Sequence, residues 1–287
     1  MTAIIWGCNG QDGHYLRDLL TAKGIKTIGI SRSGEALKVD ITSFAAVSAL
    51  IKENQPDFIF HLAADSTTRH AAWQANHDTI STGTINILEA VKEHSPHTKV
   101  FLSGSGLQFK NEGKPIRETD PFDASSIYAA SRIGSVYMGR YYRSLGLKVY
   151  VGYFFNHDSP LRSDRHINKK IIETAKRIAA GSKEKLAIGD ISVRKEYGFA
   201  GDIVKAVWQL VQQDSIMESV IGTGKAHSIE EWIAACFSLY GLKWQDYIVK
   251  TDGFVPEYQV LVSDPSTIVS LGWKPEVSMT DLVKMMS

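Results

Sequence analysis

AIIWGCNGQDG, residues 3–13, decides the fold. Its first half is apolar and β-branched, as in a strand buried on both faces. Three glycines follow as GxxGxxG: Gly7, Gly10 and Gly13. Glycine permits a tight turn, close approach of backbone to a pyrophosphate and close packing of the next helix, whose N-terminus carries partial positive charge. Alone the pattern is weak. Placed after a strand and before a helix it points to a dinucleotide, with Gln11 and Asp12 at the mouth of the same loop.

Working outward, the same rhythm repeats. KTIGIS (26–31), FIFHLAA (58–64), KVFLSGS (99–105) and KVYVGYFF (148–155) read as further buried strands. Helical patterns fall between them at 12–23, 43–53, 71–94 and 126–145. Strict alternation implies an α/β fold, a Rossmann-type doubly wound parallel sheet. Residues 1–155 are expected to form this dinucleotide-binding domain, joined by 197–213, and 156–287 a smaller, mostly helical substrate lobe. In that lobe HINKKIIETAKRIAAG and DIVKAVWQLVQQ read as helices, the first closed by Gly181. SIEEWIAACFSLYG opens on a Ser228–Glu231 capping box and closes at Gly241. Trp208, Trp232 and Trp273 are expected in the core.

Composition narrows the function classes. The chain has 287 residues, 44% hydrophobic and 22% charged, with a net charge of +1, so no broad basic surface is available for nucleic acid. Two cysteines, Cys8 and Cys236, without CxxC or clustered histidines, argue against a disulfide framework and a metal site. A reducing cytoplasm is the expected compartment. No stretch has the length and apolarity of a membrane span or an export signal.

The end of the second strand helps to select the cofactor. An acidic residue there would bind the adenosine ribose diol, but ISRSG places Ser31, Arg32 and Ser33. Arg32 can pair with a 2′-phosphate, so NADP is expected, with NAD as the other possibility. Asp40 and Ile41, in VDIT, fall where the adenine would lie; Asp40 could equally begin the helix that follows, a role Thr42 or Ser43 also fits. Leu62, Ala63 and Ala64 end the third strand and would let backbone lie against the cofactor. His61 reads as a structural histidine.

SSIYAASRIG, residues 125–134, carries the chemistry. Tyr128 is followed four positions later by Arg132, where nicotinamide-dependent enzymes of this kind usually have lysine. Together with GCNGQDGHYL, FHLAADS, YFFNHDSP, KEYGFAGDIVKAVW, GTGKAHSIEEW and DPSTIVSLGWKP, the stretch resembles the extended short-chain dehydrogenase/reductase family, in particular its GDP-mannose 4,6-dehydratase branch. The resemblance extends over nearly the whole chain. It implies a redox centre of Ser105, Tyr128 and Arg132, with the phenol exchanging a proton with a sugar hydroxyl. A cation about 4 Å from a phenolate, at an effective dielectric of about 20, stabilises it by roughly 4 kcal/mol, which a guanidinium supplies as well as an ammonium. Its planar fork is less suited to holding both ribose hydroxyls of the nicotinamide half.

A second departure matters more. The branch carries a glutamate after the fourth strand to remove the proton beside a transient 4-ketone, whereas this chain reads SGSGLQF. Leu107 stands at the carboxylate position, or Gly106 if the gap is shifted; Glu112 reads as a solvated loop residue. Loss of a general base slows such a step by ~10² to 10⁴-fold. The expected function is therefore redox at C4 of a nucleotide-linked sugar, a GDP-hexose or a GDP-4-keto-6-deoxyhexose. Dehydration, 4-epimerisation and non-catalytic dinucleotide sensing are the alternatives. The resemblance further implies substrate contacts from Asn156, Arg162, Lys170, Arg194, Lys195 and Glu257. It also implies a homodimer through a four-helix bundle of the 71–94 and 126–145 helices, since the loop SRSGEALK is short for the family tetramer.

Overall fold

The computed structural model describes residues 1–251 and 253–287. Five strands come at the expected places: β1 (Thr2–Trp6), β2 (Lys26–Ile30), β3 (Phe58–His61), β4 (Lys99–Ser105) and β5 (Lys148–Phe154). A sixth, Glu218–Ile221, continues the sheet beside β5, giving the order Glu218–Ile221, β5, β4, β3, β1, β2, parallel throughout. Side-chain alternation feeds two cores. Ile4, Trp6 and Ile59 face the helices Phe44–Asn54, Gly83–His94 and Ile127–Ser144, while Ala3, Ile5, Phe58 and Phe60 face Gln11–Ala22 and Ala200–Val211. After β2 the chain crosses to the far side of β1 to form β3. The strand order thus reverses between β1 and β3, where a parallel sheet opens a crevice at the carboxyl ends of its strands.

Glu218–Ile221 corrects the sequence expectation, which places this segment in the substrate lobe. Four residues, ESVI, are too few to show a period. The strand is fixed by Glu218, which accepts hydrogen bonds from Arg140 (3.0 and 2.7 Å), Tyr153 (2.6 Å) and Arg143. The stretch expected as one helix at 71–94 is also composite. It begins with a 3₁₀ turn, His70–Ala72, and an α turn, Trp73–Asn76, then widens to a π-helical stretch, His77–Thr82, before Gly83–His94.

The remaining lobe gathers the helices Ile167–Ala179, Ile229–Ser238 and Met279–Met286 around a third core. Trp232, fully buried, stacks on Tyr197 with ring centroids 4.7 Å apart. The Ser228–Glu231 capping box forms as expected, and Trp273 is buried with its indole N–H donating to the Asp202 carbonyl at 2.8 Å. Short ribbons link this lobe to the sheet: His157–Asp158 pairs with Gly198–Phe199, and Arg194–Lys195 with His227–Ser228 and Val260–Leu261. Among the described residues, no helix is long and apolar enough to cross a membrane.

Candidate active site

A groove runs along the carboxyl ends of the strands in two connected parts. The first, ≈ 440 Å³, opens at the switch point between β1 and β3 and is lined by Gly7, Gly10, Ser31, Arg32, Ser33, Asp40, Ile41, Leu62, Ala63, Ala64 and Thr79, among others. Gly7 has φ +87°, and a Cβ there would lie 2.9 Å from the Ala63 nitrogen. At Gly13 a Cβ would crowd the Gly7 carbonyl oxygen and lie 2.6 Å from the Cys8 Cα. The loop therefore presses backbone against backbone. This is the cradle a dinucleotide needs, so the residues present fit one.

Arg32 stands exposed at the rim of this part. Asp40 keeps one of its two expected places, the groove wall, and does not cap the helix that follows. It lines the groove, and one carboxylate oxygen accepts from the Thr42 N–H (2.9 Å) and hydroxyl (2.8 Å), bonds that hold its pKa below the usual aspartate range. Ser43 caps the helix that follows.

The second part, ≈ 340 Å³, shares Gly10, Leu62 and Ala64 with the first and brings together Ser105, Tyr128 and Arg132. Ser126 caps the helix Ile127–Ser144 and sets Tyr128 in its first turn; Arg132, one turn on, lies on the same face. Its guanidinium carbon is 5.3 Å from the Tyr128 ring centroid. Arg132 is buried, and its Nη1 donates to the Ser103 carbonyl and, at 2.9 Å, to the Ser103 hydroxyl, while Nε has no partner. Ser103 is thus the seat of the arginine, and nothing in the sequence singled it out. The Ser105 hydroxyl accepts from the Leu107 N–H at 3.2 Å, which leaves its own proton free to donate into the groove. His61 behaves structurally: its Nε2 faces the Thr79 carbonyl at 3.1 Å, and burial, reinforced by Arg132, depresses its pKa to about 3.

The opposite wall is a polar lattice. Arg162 donates to Asp158 and to the His157 carbonyl; Asn168 donates to the other Asp158 oxygen; His157 meets Asp12 at 2.8 Å. Both carboxylates lining this part of the groove, Asp12 and Asp158, are therefore engaged. Leu107, one of the two residues expected at the branch's glutamate position, lines this part of the groove. Lys195 points inward, buried, with its amine 5.4 Å from the Tyr197 ring centroid and its pKa lowered by burial. Asn156 lines the groove beside it, accepting from the Tyr258 hydroxyl at 3.5 Å.

Three expected substrate contacts sit elsewhere. Arg194 precedes Lys195 on a strand and so points to the other side, exposed, donating to the Ala226 carbonyl at 2.7 Å. Lys170 is exposed and outside the groove lining. Glu257 lines a neighbouring recess with Tyr258 and Asp123, which shares the walls Leu107 and Leu261 with the groove. Glu112 is exposed and paired with Lys110 at 2.8 Å. Conversely, His157, Asp158, His166 and Asn168 line the groove without having been foreseen as a set. Their one signal was adjacency to Asn156 and Arg162.

Fold and groove together define an extended short-chain dehydrogenase/reductase. Among solved structures, the chain is similar to the UDP-glucose 4-epimerase of Thermus thermophilus in complex with NAD, with a TM-score of 0.83 and 21% identity over 100% of this chain and 97% of that one. It is also similar to RMD from Pseudomonas aeruginosa complexed with NADPH, with a TM-score of 0.85 and 21% identity over 99% and 95%. The family model for GDP-mannose 4,6 dehydratase matches residues 31–286, and the chain belongs to that family. Relatives include GDP-mannose 4,6 dehydratase 2 of Arabidopsis thaliana, 32% identical over 99% of this chain and 85% of the relative. The GDP-mannose 4,6-dehydratase of Vibrio cholerae is 29% identical over 99% and 92%.

Proposed function

We propose that the chain is an NADP-dependent oxidoreductase acting at C4 of a nucleotide-linked hexose or 4-keto-6-deoxyhexose. The observation that carries this reading is the conjunction of Ser105, Tyr128 and Arg132 in one groove with Leu107, not an acid, beside them. The glycine loop at Gly7, Gly10 and Gly13 would hold the cofactor by its diphosphate, and the cofactor would supply or accept the hydride. Tyr128 then exchanges a proton with the C4 oxygen, and the Ser105 hydroxyl donates to that same oxygen. Arg132, fixed by Ser103, holds its guanidinium against the Tyr128 ring without leaving its seat. Arg32 would receive the 2′-phosphate. Lys195 would meet the substrate diphosphate.

Dehydration is the second reading, favoured by the names of the relatives. The experiment that separates the two is incubation with GDP-mannose and, separately, a 4-keto sugar nucleotide, following absorbance of the reduced cofactor and the product by mass. Cofactor turnover without loss of water supports C4 redox; a 4-keto-6-deoxy product from GDP-mannose overturns it. Binding of NADPH without turnover of any sugar nucleotide would leave a dinucleotide sensor. Tyr128→Phe is expected to cut turnover by ~10² to 10⁴-fold with NADPH affinity retained.

The dimer reading rests on Trp73, Ile85, Tyr137 and Tyr141, which are 50%, 43%, 57% and 60% exposed along the two implied helices. Light scattering at micromolar concentration tests it, and a monomer there overturns it.

A further inference from the structure

His157 occupies an unusual position between two acceptors. Its Nδ1 lies 2.7 Å from the Phe155 carbonyl oxygen and its Nε2 lies 2.8 Å from Asp12 Oδ1. Neither a carbonyl nor a carboxylate can donate, so both ring nitrogens must carry protons and the imidazole is cationic. Asp12 is the second residue of the helix Gln11–Ala22 that leaves the glycine loop, and it lines the groove where the cofactor would run. A free carboxylate there would face a diphosphate of the same sign. The next cation, Arg162, is already engaged by Asp158. A second set of bonds holds the histidine's backbone to the same helical turn: Gln11 Nε2 donates to the His157 carbonyl at 3.3 Å, and the Ser159 hydroxyl donates to Gln11 Oε1 at 3.0 Å.

We infer that His157 is a positioning residue for the cofactor: as the counter-charge of Asp12, it lets a carboxylate stand at the mouth of the dinucleotide loop without repelling the cofactor diphosphate. The shifts of the pair agree in direction. Burial is the largest influence on both and opposes charge, yet the partner's charge and hydrogen bond, with smaller contributions from neighbouring groups, together outweigh it, raising the histidine's pKa and lowering the aspartate's. The inference rests on the proposed NADP(H) site, and it predicts compensation, which a merely structural contact would not produce.

The test is a double-mutant cycle on NADPH affinity, read by cofactor fluorescence, with thermal melting to confirm folding. His157→Gln keeps a donor near Asp12 but removes the charge, and is expected to weaken NADPH binding about tenfold. Asp12→Asn alone should bind no more weakly than the parent. The double variant should return to within about twofold of it. Additive losses, an unchanged affinity in His157→Gln, or a tenfold loss in Asp12→Asn would each overturn the inference. If His157→Gln does not fold, Asp12→Asn decides alone. A parent protein that binds no NADPH overturns the cofactor reading itself, a result distinct from binding without compensation.

Discussion

The glycine-loop side of the groove is made of backbone, the side proposed to take substrate of side chains. At Gly7 and Gly13 main-chain atoms touch, and of the charged residues lining that part Arg32 and Asp40 stand exposed. Across the groove Asp158 is buried among Arg162 and Asn168, and His157 between Phe155 and Asp12. The contrast teaches where each half is vulnerable. A surface of backbone is intolerant of added atoms, whereas a lattice of charges is intolerant of lost ones.

The largest expected effect lies in the lattice. Arg162→Met leaves Asp158 without its cation, and breaking a buried pair in this way costs about 3–5 kcal/mol, to be measured by urea denaturation. A similar cluster away from the groove serves as a control. Although burial opposes ionisation of Glu218, hydrogen bonds from Arg140, Tyr153 and Arg143 depress its pKa from 4.5 to about 2. Its stabilisation, roughly 3 kcal/mol, is complete above the unfolded-state pKa and is lost as the pH falls from about 4.5 toward 2. Acid melts of Glu218→Gln should lack that pH-dependent loss.

On the backbone side, Gly13→Ala forces a methyl against the Gly7 oxygen and the Cys8 backbone, neither of which can swing aside. The strain, about 1–3 kcal/mol, should weaken NADPH binding by roughly tenfold to a hundredfold in a fluorescence titration. Arg32→Ala should do least, lowering NADPH affinity about tenfold and leaving NADH affinity unchanged. If Arg32→Ala proved as damaging as Arg162→Met, the division between the two halves would collapse.

This division also explains what could be read in advance. Glycine spacing after a strand reports backbone geometry directly, so the loop at Gly7, Gly10 and Gly13, and the alternation that builds β1 to β5, were legible. Tyr128 and Arg132 were legible because four residues make one helical turn. Long-range side-chain partnerships have no such local signature. The bond from Arg132 to Ser103 joins residues far apart in sequence, as does that from His157 to Asp12, and Glu218–Ile221 is too short to declare its sheet. Arg194 and Lys195 were expected to act together. The twofold alternation of a strand separates any such neighbours.

The π-helical stretch His77–Thr82 has one more consequence, for how this protein can vary. Such a widening holds an extra residue in the turn, and each residue of an α-helix advances by about 100°. Upstream of Gly83, Thr79 looks toward the groove; downstream, Ile87 and Leu88 look toward the sheet. Removing a single position between them would let the turn tighten and would swing one group off its target. Insertions and deletions should therefore be scarcer here than replacements, in any set of descendants that keeps the groove.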